Sequence, residues 1–237
     1  MGWTPGARPR RPRCRPAPLV LLVRSTSVPF GYGCTVTRTD VSLFLTPRAP
    51  LPQTDRALLA AAVARICPGQ GPVTIEQRCE RCGGAHGRPR VLAPSGVFVS
   101  LSRAGHTVAV SVSLVGPIGV DIESVTAVGR AGFDDVAFNA DERAALQRMP
   151  AAERDRARAG IWTTKEALLK LSGQGLTVDP RELTVEWAGA SVSLRWPTST
   201  LDLNRVHVEG FDAGPGLIGT LTVLSAKSPR VELHRDS

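Results

Sequence analysis

Two acids, Asp121 and Glu123, lie one residue apart in the segment Gly119-Val120-Asp121-Ile122-Glu123. In a strand, residues i and i+2 share a face, so the two carboxylates would stand side by side while Val120 and Ile122 enter the core. Carboxylates that close repel, and one holds a proton unless a cation sits between them. Hard oxygen donors suit Mg2+, which binds a few carboxylates and completes its shell with water and phosphate oxygens; residue type alone does not separate it from Mn2+. The plain alternative is a solvated strand end, and for the pair taken alone it is the better account.

A second group follows in Trp162-Thr163-Thr164-Lys165-Glu166-Ala167-Leu168-Leu169-Lys170. Glu166 and Lys170 are i and i+4 on one helical face, with Trp162 one turn earlier. Ile161, Leu168 and Leu171 can face the core. The plain alternative here is a surface Glu–Lys pair contributing about 0.2–0.5 kcal/mol. The two groups are more telling together than apart.

They run as G-V-D-x-E and then W-T-x-K-E-A-x-x-K, with 42 residues between Glu123 and Glu166. In that order and at that separation the chain resembles the 4′-phosphopantetheinyl transferases, in particular the longer, surfactin-synthetase-activating (Sfp-like) type. Four further segments extend the resemblance: Phe138-Asn139-Ala140-Asp141-Glu142, Gly173-Gln174-Gly175-Leu176, Gly87-Arg88-Pro89, and Val99-Ser100-Leu101-Ser102-Arg103-Ala104-Gly105 at the place of that family's F-N-x-S-H-S-G. It covers roughly residues 36–225. One departure stands out, because the family's His in S-H-S-G is Arg103 here. Arginine is always charged and binds phosphate through two donors, so phosphate binding is expected to survive the change. His106, three residues on, could supply an imidazole instead, but the better account makes it the start of a strand.

The resemblance implies an enzyme, a holo-(acyl-carrier-protein) synthase that moves 4′-phosphopantetheine from coenzyme A to a serine of an apo acyl or peptidyl carrier protein and releases 3′,5′-ADP. It implies Mg2+ on Asp121, Glu123 and Glu166, with Glu166 as general base. Lys165 and Lys170 become catalytic cations that also hold coenzyme A. Arg88, Ser102, Arg103 and Asp121 complete the coenzyme A contacts. The longer members of the family act as monomers and often serve secondary metabolism, so a cytoplasmic monomer acting in polyketide, nonribosomal peptide or fatty-acid synthesis is expected.

Glu142 falls at the third helical position if Asn139 caps a helix, and a capping box explains it without chemistry. A metal or base role stands open beside that account. The five Cys are odd in number and unevenly spread, which does not suggest a disulfide framework. Cys79 and Cys82 precede His86, with Cys67 upstream, a set compatible with a structural Zn2+ but lacking the second knuckle of a zinc ribbon. Ordinary thiols are the plain alternative, and neither account touches the central chemistry.

The elements that must position these groups read as α+β: two similar subdomains, each with helices on a small, mostly antiparallel sheet, a pseudo-duplicated plan. A strand is expected near Val41–Leu45 and a helix from Thr54-Asp55 to about Ile66. Residues 67–96 read as loop-rich. Three strands follow as one meander: Val97–Ser102, His106–Ser113 and Ile118–Ile122. A helix from about Ala151 to Leu171 carries the second group, and Gly173 stops it. Further strands are expected at Leu183–Trp187, Val192–Trp196, Val206–Val208 and Leu217–Leu224. The boundaries are a basic leader over 1–33, subdomains over 34–116 and 117–226, and a tail over 227–237.

Net charge is +8, which invites a nucleic-acid reading. Residues 1–24, however, carry six Arg and five Pro with no acid, and the remainder has 23 basic residues against 21 acidic. The charge therefore describes a proline-broken leader, expected to be disordered, and not a binding face. The apolar run Leu19–Val23 is too short for a signal segment or a membrane span, so neither nucleic acid nor membrane is expected as a partner. The rival from another class is a zinc-bearing nucleic-acid module with a basic arm, which leaves Asp121, Glu123 and Glu166 unexplained.

Overall fold

The computed structural model describes residues 39–48, 54–79, 83–84 and 87–236. The expected leader, Cys82 and His86 lie outside them. The architecture is α+β, with several small sheets.

Strand β1 (Val41–Pro47) leads to helix α1 (Asp55–Ile66), whose first turn is capped by Thr54 Oγ1 accepting from the Ala57 amide at 3.2 Å. The stretch read as loop-rich contains a hairpin of β2 (Thr74–Gln77) and β3 (Pro89–Ala93). Gly and Pro mask these two short strands, yet Ile75 and Val91 pack on the core under α1. Then come β4 (Phe98–Ala104), β5 (Thr107–Ser113) and β6 (Ile118–Ser124).

β4 and β5 pair antiparallel as expected, but β6 leaves their sheet, so the three do not form one meander. The break lies at Gly116-Pro117. A Cβ on Gly116 would come within 2.0 Å of the Leu224 carbonyl oxygen, and Pro117 has no amide to continue a ladder. The chain therefore crosses from the first sheet to the second at residue 117.

Helices α2 (Val125–Arg130), α3 (Asp134–Ala137), α4 (Ala140–Arg148) and α5 (Ala151–Ser172) follow. Gly173, at φ +79°, ends α5 in the left-handed conformation that glycine adopts without strain. The hairpin β7 (Thr184–Ala188) and β8 (Ser191–Arg195) precedes β9 (Val206–Gly214) and β10 (Leu217–Leu224). The expected tail carries a last strand, β11 (Val231–Arg235), which pairs in parallel with β1.

The first sheet has the order β11-β1-β5-β4 and the second β6-β10-β9. Alternation along β1 places Phe44 with Leu59 and Val63 of α1, and Leu43 and Leu45 with Val120, Ile122 and Leu221 of the second sheet. The first sheet is thus covered by α1 on one face and by the second sheet on the other, and α5 packs on β6 and β10. Among the described residues no helix is long and apolar enough to cross a membrane.

Candidate active site

β6 delivers its carboxylates by period 2. Val120 and Ile122 are fully buried between the sheets, and Asp121 and Glu123 take the other side of the strand. Close approach of β6 to α5 requires Gly119, since a Cβ there would lie 1.9 Å from the Ala167 carbonyl oxygen. From α5, residues at i, i+4 and i+8 meet this strand. Lys170 Nζ donates to Asp121 Oδ1 at 2.7 Å and to the Val120 carbonyl at 3.0 Å. Trp162 lowers the Glu123 pKa against the burial that raises it and packs on Phe133, ring centroids 4.9 Å apart.

Electrostatics tie the three acids into one group. Burial pushes the Asp121 carboxyl up, against the pull of Lys170, Ser102 and the Ile122 amide. Glu123 is raised by burial and then by the charge of Asp121. Glu166 is raised to about 7, first by burial and then by Asp121 and Glu123, with Lys170 opposing. Burial is the first cause of all three shifts, and the charge of Asp121 adds to it at Glu123 and Glu166, a strain that a cation would relieve.

Asp121 adds a more specific observation. It is buried, its Oδ1 accepts from both Ser102 Oγ (2.8 Å) and Lys170, and its Oδ2 is buried with no hydrogen-bond partner. A lone buried carboxylate oxygen beside two further carboxylates suits a hard cation such as Mg2+. Among the described residues no three His, Cys, Asp or Glu side chains are arranged to hold a metal ion as they stand. The fit thus lies in donor type and in the bare Oδ2.

Past Lys170 opens a cleft of roughly 830 Å3, lined by Arg78, Arg88, Arg90, Lys170 and Gln174 among others. Arg88 Nη2 donates to the Leu171 carbonyl at 3.1 Å, and burial, followed by the charge of Arg90, lowers the Arg88 pKa. Gly87 is required for the fit, since a Cβ there would meet the Arg78 carbonyl oxygen at 2.0 Å. Four cationic side chains in one cleft next to three acids form a place for a polyanion with a reacting end. Arg78 and Arg90 were not singled out in the sequence. Arg90 sits two residues beyond Arg88 and could have been read from that proximity, whereas nothing local marks Arg78.

Other expected site residues lie elsewhere. Lys165 is fully buried, and its ammonium donates to Glu142 Oε2 (2.6 Å), the Ala137 carbonyl (2.8 Å) and the Pro180 carbonyl (3.0 Å). None of these bonds reaches Asp121, Glu123 or Glu166, so Lys165 belongs to the packing of α5 and not to the charge balance of a phosphate. Glu142 closes the capping box with Asn139, and its two oxygens take the Asn139 amide, Lys165 and the Val185 amide. Those donors account for it, and a metal role is not needed.

Arg103 pairs with Asp55 and lines a neighbouring cavity of roughly 630 Å3 on the α1 side. Successive residues of β4 face opposite ways, so Arg103 and Ser102 do not share a ligand surface. Cys67 is buried in the apolar cluster under α1, and Cys79 lines the arginine cleft. With Cys82 and His86 outside the described residues, the zinc set is not assembled by what the structure describes.

Residues 117–211 match the model of the 4′-phosphopantetheinyl transferase superfamily. That stretch holds Asp121, Glu123, Glu142, Lys165, Glu166 and Lys170. A solved structure, a holo-(acyl-carrier-protein) synthase from Bacillus anthracis str. Ames in complex with CoA (3′,5′-ADP), is similar at 19% identity over 47% of this chain and 98% of its own, with a TM-score of 0.37. No curated protein matches the chain.

Proposed function

We propose, taking the superfamily match over residues 117–211 as premise, that the chain transfers 4′-phosphopantetheine from coenzyme A to a serine hydroxyl of an apo carrier protein. The observation that carries this reading is the electrostatically coupled set Asp121, Glu123 and Glu166, with Lys170 joining it to the arginine cleft. Coenzyme A is an extended polyanion with a pyrophosphate near its middle and a phosphomonoester at its nucleoside end. Arg78, Arg88 and Arg90 suit the nucleoside-end phosphates, and Lys170 suits the pyrophosphate.

In the reaction the serine oxygen forms a bond to the phosphorus bearing pantetheine. The bond from that phosphorus to the bridging oxygen breaks, and 3′,5′-ADP leaves. Glu166, raised to about 7, takes the serine proton directly or through water. Lys170 stands beside the acids to offset charge on the pyrophosphate oxygens. Asp121, Glu123 and Glu166 would hold Mg2+, which when bound supplies charge neutralisation and alignment of the phosphates. The first and second sheets, each with one long helix against it, suit the pseudo-duplicated, surfactin-synthetase-activating type, and such a chain acts as a monomer on carrier proteins of polyketide, nonribosomal peptide or fatty-acid synthesis.

The test is intact-mass spectrometry of an apo carrier protein incubated with the chain, coenzyme A and Mg2+, with an EDTA control. A gain of one phosphopantetheine that EDTA abolishes is the expected result. No gain across acyl and peptidyl carriers would sink the proposal.

A further inference from the structure

Ser102 was expected to face coenzyme A, but its side chain is buried and its hydroxyl donates to Asp121 Oδ1 at 2.8 Å. The two residues come from different sheets, Ser102 from β4 and Asp121 from β6. Lys170, from α5, donates to the same oxygen at 2.7 Å. Both donors therefore load Oδ1, while Oδ2, equally buried, has no partner. A carboxylate free to turn would share two donors between its oxygens. Here Lys170 is also anchored on the Val120 carbonyl, and Ser102 is fixed in a strand, so neither donor can follow a rotation without losing its place.

We infer that Ser102 is a positioning residue that locks Asp121 with Oδ2 bare toward the cation expected on Asp121, Glu123 and Glu166. The inference rests on the proposed metal site. It takes Ser102 out of the coenzyme A contacts and assigns it to the orientation of a ligand. A hydrogen bond to one oxygen of a ligating carboxylate fixes the direction of the other, and losing such a partner weakens metal binding by about 10–100-fold. Ser111, also buried in the first sheet, provides a contrast, because its hydroxyl donates to the Ser100 carbonyl and, among the described residues, bonds no acid.

The experiment is a titration of the full chain with Mn2+ alone, followed by the electron paramagnetic resonance of free Mn2+, with no coenzyme A or carrier protein present. Ser102→Ala should weaken Mn2+ binding by about 10–100-fold, Ser102→Thr should restore it, and Ser111→Ala should leave it as in the parent. Ser102→Cys, which keeps the volume with a weaker donor, should fall between and serves if the alanine variant does not fold. Parent-like Mn2+ affinity in Ser102→Ala or Ser102→Cys overturns the inference, as does a parent chain that binds no Mn2+. A Ser102→Ala chain whose only defect is a raised KM for coenzyme A overturns it too and returns Ser102 to ligand contact. A chain that shows the Mn2+ pattern but transfers nothing to any carrier would sink the proposed function and leave this inference standing.

Discussion

Replacing Lys165 by Met separates the structural account of this residue from a catalytic one. Methionine keeps most of the aliphatic stem and removes the ammonium. The ammonium makes three hydrogen bonds, and the Lys165 and Glu142 side chains are 0% and 1% exposed. Burial lowers the Lys165 pKa, and Glu142 holds it up. Removing one partner leaves the Glu142 charge buried and the Ala137 and Pro180 carbonyls short of a donor. Breaking a buried pair in this way costs about 3–5 kcal/mol, a large part of the roughly 5–15 kcal/mol that holds an ordinary domain. Urea unfolding followed by tryptophan fluorescence reads the loss directly. The pair Lys165→Met and Glu142→Gln should cost less together than the two single changes summed, with a coupling of about 2–3 kcal/mol. At a temperature where Lys165→Met is folded, phosphopantetheine transfer should stay within about tenfold of the parent, since no transition-state contact is lost. A variant that unfolds at the parent's urea concentration yet transfers nothing would refute the reasoning and return Lys165 to the catalytic set.

Three further outcomes are expected. Asp121→Ala should lower transfer by at least about 10²-fold, the scale for removing one preorganised electrostatic group, while the chain stays folded; near-parent activity would remove Asp121 from the site. Arg88→Ala should raise the KM for coenzyme A by about tenfold or more, from the loss of a charge-assisted contact of about 1.5–3 kcal/mol, with kcat little changed; an unchanged KM would show that the arginine cleft does not hold the nucleotide. In EDTA, Glu166 keeps its proton to about 7 in the fold against 4.5 ordinarily, so the stability it contributes is full below the ordinary value and is lost as pH rises through about 7. The melting temperature of the metal-free chain should therefore fall from about pH 5 to about pH 8, and Glu166→Gln should flatten part of that fall; parallel curves for the two chains would refute the assignment.

Much of the site could be read from periodicity. The alternation of Val120 and Ile122 with Asp121 and Glu123 is what β6 shows, and the i, i+4, i+8 spacing of Trp162, Glu166 and Lys170 is what α5 presents to it. The same arithmetic argued against two expectations that the motif encouraged. Adjacent helical residues point about 100° apart, so Lys165 and Glu166 could not share a face, and adjacent strand residues point opposite ways, so Ser102 and Arg103 could not share a ligand. Other features had no local signal. β2 and β3 are short and set among glycines, and the Ser102–Asp121 bond joins separate sheets. Nothing near Val231–Arg235 in sequence announces that the partner of that strand is β1.

That last pairing bears on how the chain can be made and cut. The Arg230 amide bonds to Asp40, a partner 190 positions away, and the first sheet gains its β11 edge only after residue 235 has emerged from the ribosome. Until then β1 presents an open edge of backbone donors and acceptors to whatever else is nearby. Such distant closure slows folding relative to local pairing. It also means that a cut at 116/117, the boundary expected from the sequence, would strand the first piece without one strand of its sheet. Fragment complementation at that boundary should therefore succeed only when the second piece carries residues 231–235.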